Sequence, residues 1–182
     1  MKRFLAWMLA WFLIAHARAQ TAAPVTFDLS SFRADAGASA KQESPGLRLR
    51  WPISPQASGE IAFNCEEGRP LIEWLGVVAS PGGEVTPLMQ RVDPVTLLTV
   101  GERNLRDPAG WVAFFDNPPL RAYQTVSAVL KKRNVRVTSN GSRTVVSIGE
   151  VTAGAFSGRI EFTVCRNSPL VQVETVLQTA EN

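Results

Sequence analysis

From residue 47 onward, apolar and polar side chains alternate repeatedly with a period of two residues. The first such stretch places Leu47, Leu49 and Trp51 on one face, and the ranges 59–65 and 158–165 repeat the pattern. A period of two is typical of β-strands with one buried face. Helical periodicity is nowhere sustained over three turns, so the sequence predicts an all-β fold, namely an antiparallel β-sandwich.

The alternation also predicts which side chains point into the core. The predicted inward residues are Leu47, Leu49, Trp51, Ile61, Phe63, Cys65, Ile160, Phe162, Val164, Val171, Val173, Thr175 and Leu177. The more continuous apolar run at 70–79 predicts a strand buried on both faces. A last strand at 171–179 needs a neighbour to protect its backbone groups. We therefore expect the chain to be the front part of a larger protein, and the sandwich to be incomplete.

A hairpin is predicted where Asn140-Gly141 separates two valine-rich segments. Asn-Gly favours the positive φ angles of a type I′ turn, so we expect these two residues to be its central pair. The same Asn140 begins an N-glycosylation pattern, but the turn alone accounts for the motif.

The N-terminus has the three parts of a signal peptide. Lys2 and Arg3 precede an apolar run at 4–15, and small residues at 17 and 19 form a cleavage site before Gln20. The run is too short to span a bilayer, so the uncleaved membrane anchor is the weaker alternative. Cleavage after Ala19 predicts a secreted or periplasmic protein without a membrane span.

Three segments follow from these patterns. Residues 1–19 are the signal peptide, and 20–46 form a flexible leader that could add one edge strand. Residues 47–182 form the β-sandwich domain.

Charge and histidine content exclude several function classes. Three of the 19 basic residues lie in the signal peptide. The 16 basic side chains that remain equal the 16 acidic ones in number, so the exported chain has no net charge. A nucleic-acid partner therefore has no electrostatic basis. The basic stretch at 131–136 is predicted to be a solvated strand end, with Lys131, Lys132, Arg133 and Arg136 in water. The single histidine, His16, also belongs to the signal, which excludes histidine-based catalysis and most zinc sites. No metal and no cofactor are expected.

Two cysteines, Cys65 and Cys165, remain after export. We expect them to form a disulfide, because the compartment is oxidising. Closing such a long loop would contribute about 4 to 5 kcal/mol in the chain-entropy model. The alternative is two reduced thiols packed as small apolar groups.

The phrases at 69–79, 111–123 and 158–179 occur in an order that resembles the N-terminal half of the galactose-mutarotase-like β-supersandwich. The resemblance covers about 47–179. Such domains occur in aldose epimerases and as non-catalytic modules of secreted bacterial glycan-processing proteins. The epimerases use histidines with a glutamate, and the exported chain has no histidine. The resemblance thus implies a scaffold with a carbohydrate surface and does not imply mutarotase chemistry.

A carbohydrate surface needs flat aromatic rings beside planar polar groups. Trp111 and Tyr123 flank a loop with two prolines that can hold polar side chains rigidly. The candidate ligand-binding residues are Trp111, Asp116, Asn117, Arg121, Tyr123 and Arg69. A core position is favoured for Trp74, whereas core and surface are equally favoured for Trp111.

The sequence favours a non-catalytic secreted module that binds carbohydrate, and no catalytic residue is assigned. The alternative is a structural or adhesive sandwich that contacts proteins through an exposed edge strand at 171–179. A hydrolase or lyase built on carboxylates and arginine is the least supported, because no carboxylate pair has a spacing that demands it.

Overall fold

The structure, a computed structural model, describes residues 24–79, 82–101 and 123–180. Within these ranges it is built from β-strands and one short 3-10 helix at Ala34–Ala36, which confirms the all-β prediction. The strands are β1 (Thr26–Ser31), β2 (Ser39–Glu43), β3 (Gly46–Ser54), β4 (Ala57–Asn64), β5 (Ile72–Ala79), β6 (Val85–Val92), β7 (Leu97–Gly101), β8 (Tyr123–Ser127), β9 (Val129–Asn140), β10 (Arg143–Ala153), β11 (Phe156–Cys165) and β12 (Val171–Thr179).

The strands form two five-stranded sheets and a two-stranded ribbon. The first sheet, sheet A, has the order β1-β9-β10-β11-β12, and the second, sheet B, has the order β2-β3-β4-β5-β6. All neighbours are antiparallel except β1, which runs parallel to β9. Strands β7 and β8 pair with each other. The range 20–46, predicted as a leader, holds β1 and β2, one at the edge of each sheet.

One hydrophobic core lies between the two sheets. Phe63 of sheet B meets Phe162 of sheet A edge to face, with ring centroids 4.8 Å apart. Trp51 is only 2% exposed, and its indole nitrogen donates a hydrogen bond to the Ser168 carbonyl, 2.8 Å away in the turn between β11 and β12. The predicted inward faces of β3, β4 and β11 are all in this core. The prediction of an antiparallel sandwich is therefore confirmed.

At the edge of sheet A the core is thinner. Val171 and Leu177 of β12 pack against the core as predicted. Val173 shares their face but remains 49% exposed. The alternation predicts the direction of its side chain but not how much of that side chain stays exposed.

The hairpin between β9 and β10 is present, but its turn differs from the predicted one. Asn140 pairs with Arg143, so the two central residues are Gly141 and Ser142. Only Gly141 has a positive φ, at 58°, which is the pattern of a type II′ turn with glycine at the first central position. The predicted type I′ turn centred on Asn140-Gly141 is therefore wrong by one residue in register.

The predicted disulfide is also absent, and both cysteines are free. Cys65 follows β4 and lies in the core, 3% exposed. Cys165 is the residue after inward-facing Val164, so it points to the opposite face of β11. The alternation that buries Val164 thus turns Cys165 away from Cys65.

Among the residues that the structure describes, we find no helix with the length and hydropathy needed to cross a membrane.

Candidate functional site

Trp74 lies on the outer face of sheet B rather than in the core. Ile72 pairs with Phe63 on the core side, whereas Trp74 pairs with Ala62 on the outer side. The register shifts between these two pairs, so a bulge at Glu73 reverses the alternation. The prediction of a core position for Trp74 is therefore wrong. The strand is nevertheless buried on both faces elsewhere, since Ile72 is 6% exposed on the core side and Val78 is 2% exposed on the outer side.

A buried carboxylate fixes the orientation of this indole. Trp74 Nε1 donates a hydrogen bond to Glu60 Oε1, at 3.2 Å. The other oxygen of Glu60 accepts two hydrogen bonds from Arg50, from Nε at 2.8 Å and from Nη2 at 2.5 Å. Glu60 has no exposed surface although it lies on the outer face of the sheet. The ring position of Trp74 is consequently set before any ligand arrives.

Arg48 covers the same indole. Its guanidinium carbon lies 5.1 Å from the ring centroid, within the range of a cation–π contact. Arg48 Nη2 also forms an ion pair with Glu43 at 2.8 Å, and Glu43 contacts Lys41 at 3.1 Å. The hydrogen bond from Lys41, together with the positive charge of Arg48, lowers the pKa of Glu43 below its ordinary value of 4.5. Glu43 therefore stays ionised at neutral pH.

A shallow depression of about 240 Å³ opens beside Trp74, and we call it the Trp74 depression. Polar groups at its rim are the side chains of Glu43, Asn64 and Glu73, and Asn64 Nδ2 donates to Glu73 Oε2 at 3.1 Å. The remaining lining residues are Pro45, Gly46, Leu47, Ala62 and Phe63. The volume lies below the roughly 300 Å³ at which pockets for drug-sized ligands begin, so the depression has room only for a small group.

The outer face of sheet A carries a larger polar groove of about 630 Å³. Arg136 donates to Asp28 at 2.9 Å, and Arg159 donates to Glu161 at 2.6 Å. Hydrogen bonds from Ser30, and then the charge of Arg136, lower the pKa of Asp28. None of the described residues that line this groove is aromatic. The groove lacks the flat ring against which a sugar can stack.

Most of the predicted site falls outside the described residues, namely Trp111, Asp116, Asn117 and Arg121. Tyr123 is described. It lies in β8, pairs with Gly101 and is 53% exposed. Arg69 lies in the connection between β4 and β5. Its side chain is exposed, and its Nε is 3.7 Å from Glu66 Oε2. Neither residue lines the Trp74 depression.

The basic stretch on β9 was predicted to be solvated, but one of its lysines is buried. Lys132 is 6% exposed, and its Nζ donates to the Glu66 carbonyl at 2.7 Å and also to the Arg69 carbonyl. The lysine thus ties the β4–β5 connection of sheet B to sheet A. Nearby, burial raises the pKa of the Cys65 thiol to about 11, although the positive charge of Lys132 opposes the rise. The buried thiol is therefore protonated and unreactive at neutral pH.

Sequence reasoning missed the Trp74 depression, although part of the signal was present. Arg48 and Arg50 alternate with inward residues of β3, and Glu60 does the same on β4, so all three were assignable to the outer face. The bulge that brings Trp74 onto that face leaves no mark in the apolar run of β5.

Comparison with known proteins finds no matching family model, and it finds no similar curated protein or solved structure. The fold and the site together define an antiparallel β-sandwich with an aromatic and polar depression on one outer face.

Proposed function

We propose that this protein is an exported, non-catalytic β-sandwich module that binds carbohydrate at the Trp74 depression. The observation that carries the proposal is the combination of a half-buried indole with carboxylate and amide side chains around one small concave surface. Arg48 lies over one face of the indole, so the C–H groups of a sugar would stack on the opposite face, and the polar rim offers partners for hydroxyl groups.

Rigidity supports this proposal. The Trp74 ring is held by Glu60 and Arg48, and the Asn64 amide is held by Glu73. A site whose groups are already oriented loses little side-chain entropy when a ligand binds. Lys41 and Arg48 form ion pairs with Glu43, so the rim as a whole carries little net charge, which favours neutral sugars over strongly charged ones.

The segment around Trp111 remains a second contribution to the same function. The candidate residues Trp111, Asp116, Asn117, Arg121 and Tyr123 keep their predicted role as ligand contacts, as does Arg69. Export to the periplasm or the medium, with cleavage after Ala19, remains part of the proposal and rests on the N-terminal sequence. The resemblance to the mutarotase-like supersandwich is consistent with a sugar ligand, and it is a prediction from sequence only.

The experiment is isothermal titration of a panel of neutral, amino and acidic glycans into the wild type, Trp74→Ala and Trp111→Ala. We expect Trp74→Ala to weaken binding at least about tenfold, as is usual for a tryptophan at the centre of a contact. Trp74→Phe keeps a flat ring but removes the hydrogen bond to Glu60, so it should retain part of the affinity.

Arg136→Ala, on the outer face of sheet A, is the matched control and should bind like the wild type. Circular dichroism of each variant checks that the fold is retained. Binding that is unchanged in Trp74→Ala and lost in Trp111→Ala would move the site to the segment 111–123. Absence of binding to every glycan would refute the proposed function.

A further inference from the structure

Strand β12 forms one edge of sheet A. Among the described residues, its only strand partner is β11. Natural edge strands are usually protected by lysines, prolines, bulges or covering segments. Residues 171–179 contain neither lysine, arginine nor proline, and Glu174 is their only charged residue.

Apolar side chains are exposed on both faces of this edge. Val173, on the core-facing side, is 49% exposed, and Val176, on the outer side, is 37% exposed. Leu170, just before the strand, is 75% exposed. A long edge strand that exposes valines is a template for strand addition.

The sequence of β12 is partly symmetric about Thr175, where two of the four flanking pairs match in character. If a second copy of β12 runs antiparallel across a two-fold axis at Thr175, Gln172 faces Gln178 and Val173 faces Leu177. Glu174 then faces Val176, so no two like charges lie opposite each other. Each facing pair also shares one side of the sheet, because the two residue numbers of a pair have the same parity.

We propose that β12 is a self-association surface, and that two copies of this chain join their A sheets edge to edge through an antiparallel β12–β12 pair centred on Thr175. Such an interface is isologous, as in most homodimers. The apolar pairs of Val173 with Leu177 and the amide pairs of the glutamines supply the cross-strand contacts. This inference does not depend on carbohydrate binding, which is assigned to sheet B.

Contacts within one copy make a charge test possible. On β11, Arg159 lies opposite Val176, and Glu161 lies opposite Glu174. Val176→Glu therefore places a carboxylate beside Arg159 within its own chain, which favours the folded monomer. In the proposed dimer, the new carboxylate also lies opposite Glu174 of the second copy, and the two-fold axis creates this like-charge pair twice.

The experiment is sedimentation velocity of the full exported protein over a range of concentrations. The wild type should show a concentration-dependent dimer. Val176→Glu should raise its dissociation constant roughly tenfold, because two like-charge pairs are created and a valine contact is lost.

The double variant Glu174→Lys with Val176→Glu should restore the dimer, because each lysine then faces a glutamate of the other copy. Circular dichroism should show native strand content in every variant.

A wild type that is monomeric at every concentration would overturn the inference. Val176→Glu that dimerises like the wild type, or a double variant that fails to recover, would overturn the proposed register. A monomeric wild type that instead captures an extended peptide along β12 would replace self-association by strand addition to another protein.

Discussion

Trp74 Nε1 donates a hydrogen bond to a carboxylate oxygen of Glu60, 3.2 Å away, and that carboxylate has no exposed surface. Glu60 lies on the outer face of its sheet, and it is buried there because Arg50, Arg48 and Trp74 surround it. The indole and the arginines thus form a lid over a charge that water would otherwise solvate. Orientation of the aromatic ring and stability of sheet B depend on the same group.

We expect Glu60→Ala to lower the free energy of unfolding by about 2 kcal/mol. Removing one partner of a buried pair is strongly destabilising, but Arg50 stays partly hydrated, which reduces the loss. Urea denaturation followed by circular dichroism measures the change. Glu43→Ala removes a carboxylate that is itself 34% exposed, so this control should cost less than about 1 kcal/mol. Equal losses of unfolding free energy in both variants would show that the burial of Glu60 does not increase its contribution to stability.

Lys132→Met should destabilise the protein by about 2 kcal/mol, because the two carbonyls at Glu66 and Arg69 lose a charged donor. The neighbouring change Lys131→Met is the matched control, and it should alter stability by less than about 0.5 kcal/mol. Thermal unfolding of both variants gives the comparison. Hydrogen exchange should accelerate at residues 66–71 in Lys132→Met only. Equal stability and equal hydrogen-exchange rates in the two variants would contradict the claim that Lys132 links the β4–β5 connection to sheet A.

The Cys65 thiol should make stability fall at alkaline pH. Its pKa is raised from 9.0 to about 11 in the folded protein, so below pH 9.0 the thiol is protonated in both states. As the pH rises from 9.0 towards 11, the unfolded chain releases the proton first, and the free energy of unfolding decreases. Cys65→Ala should show a smaller alkaline decrease than the wild type. Parallel curves for the two proteins would contradict the raised pKa.

Thiol labelling tests the same environment and the absence of a disulfide. Iodoacetamide at neutral pH should modify half-buried Cys165 faster than Cys65, because only a thiolate reacts and Cys65 is held protonated. After denaturation without a reductant, both thiols should react. A protein in which neither cysteine reacts until a reductant is added would contain the disulfide after all.

The strand faces could be predicted from sequence because they depend on local alternation. Leu49 and Phe63 point inward as a period of two requires, and Phe162 of the other sheet lies in the same core and contacts Phe63. The missing disulfide could have been predicted too, since Cys165 directly follows an inward residue. The spacing of two cysteines along the chain does not show whether their side chains face each other.

Other features depend on contacts between distant residues, which a single sequence does not encode locally. The outward position of Trp74 comes from a bulge, and the apolar run around it has no period that marks the bulge. Burial of Lys132 depends on two backbone carbonyls that lie far away along the chain, and nothing near the lysine distinguishes it from Lys131. The turn after β9 was misplaced by one residue because Asn140-Gly141 also fits the competing type I′ geometry.

The central claim is that the Trp74 indole contacts a sugar. The most direct measurement is a heteronuclear NMR spectrum of residues 20–182 with ¹⁵N-labelled tryptophan, in which Trp51, Trp74 and Trp111 each give one indole signal. The Trp74→Phe variant assigns the signal of Trp74. On titration with the best glycan of the panel, we predict a saturable shift of the Trp74 signal while that of core residue Trp51 stays fixed. A glycan that binds without moving the Trp74 signal would contradict the account.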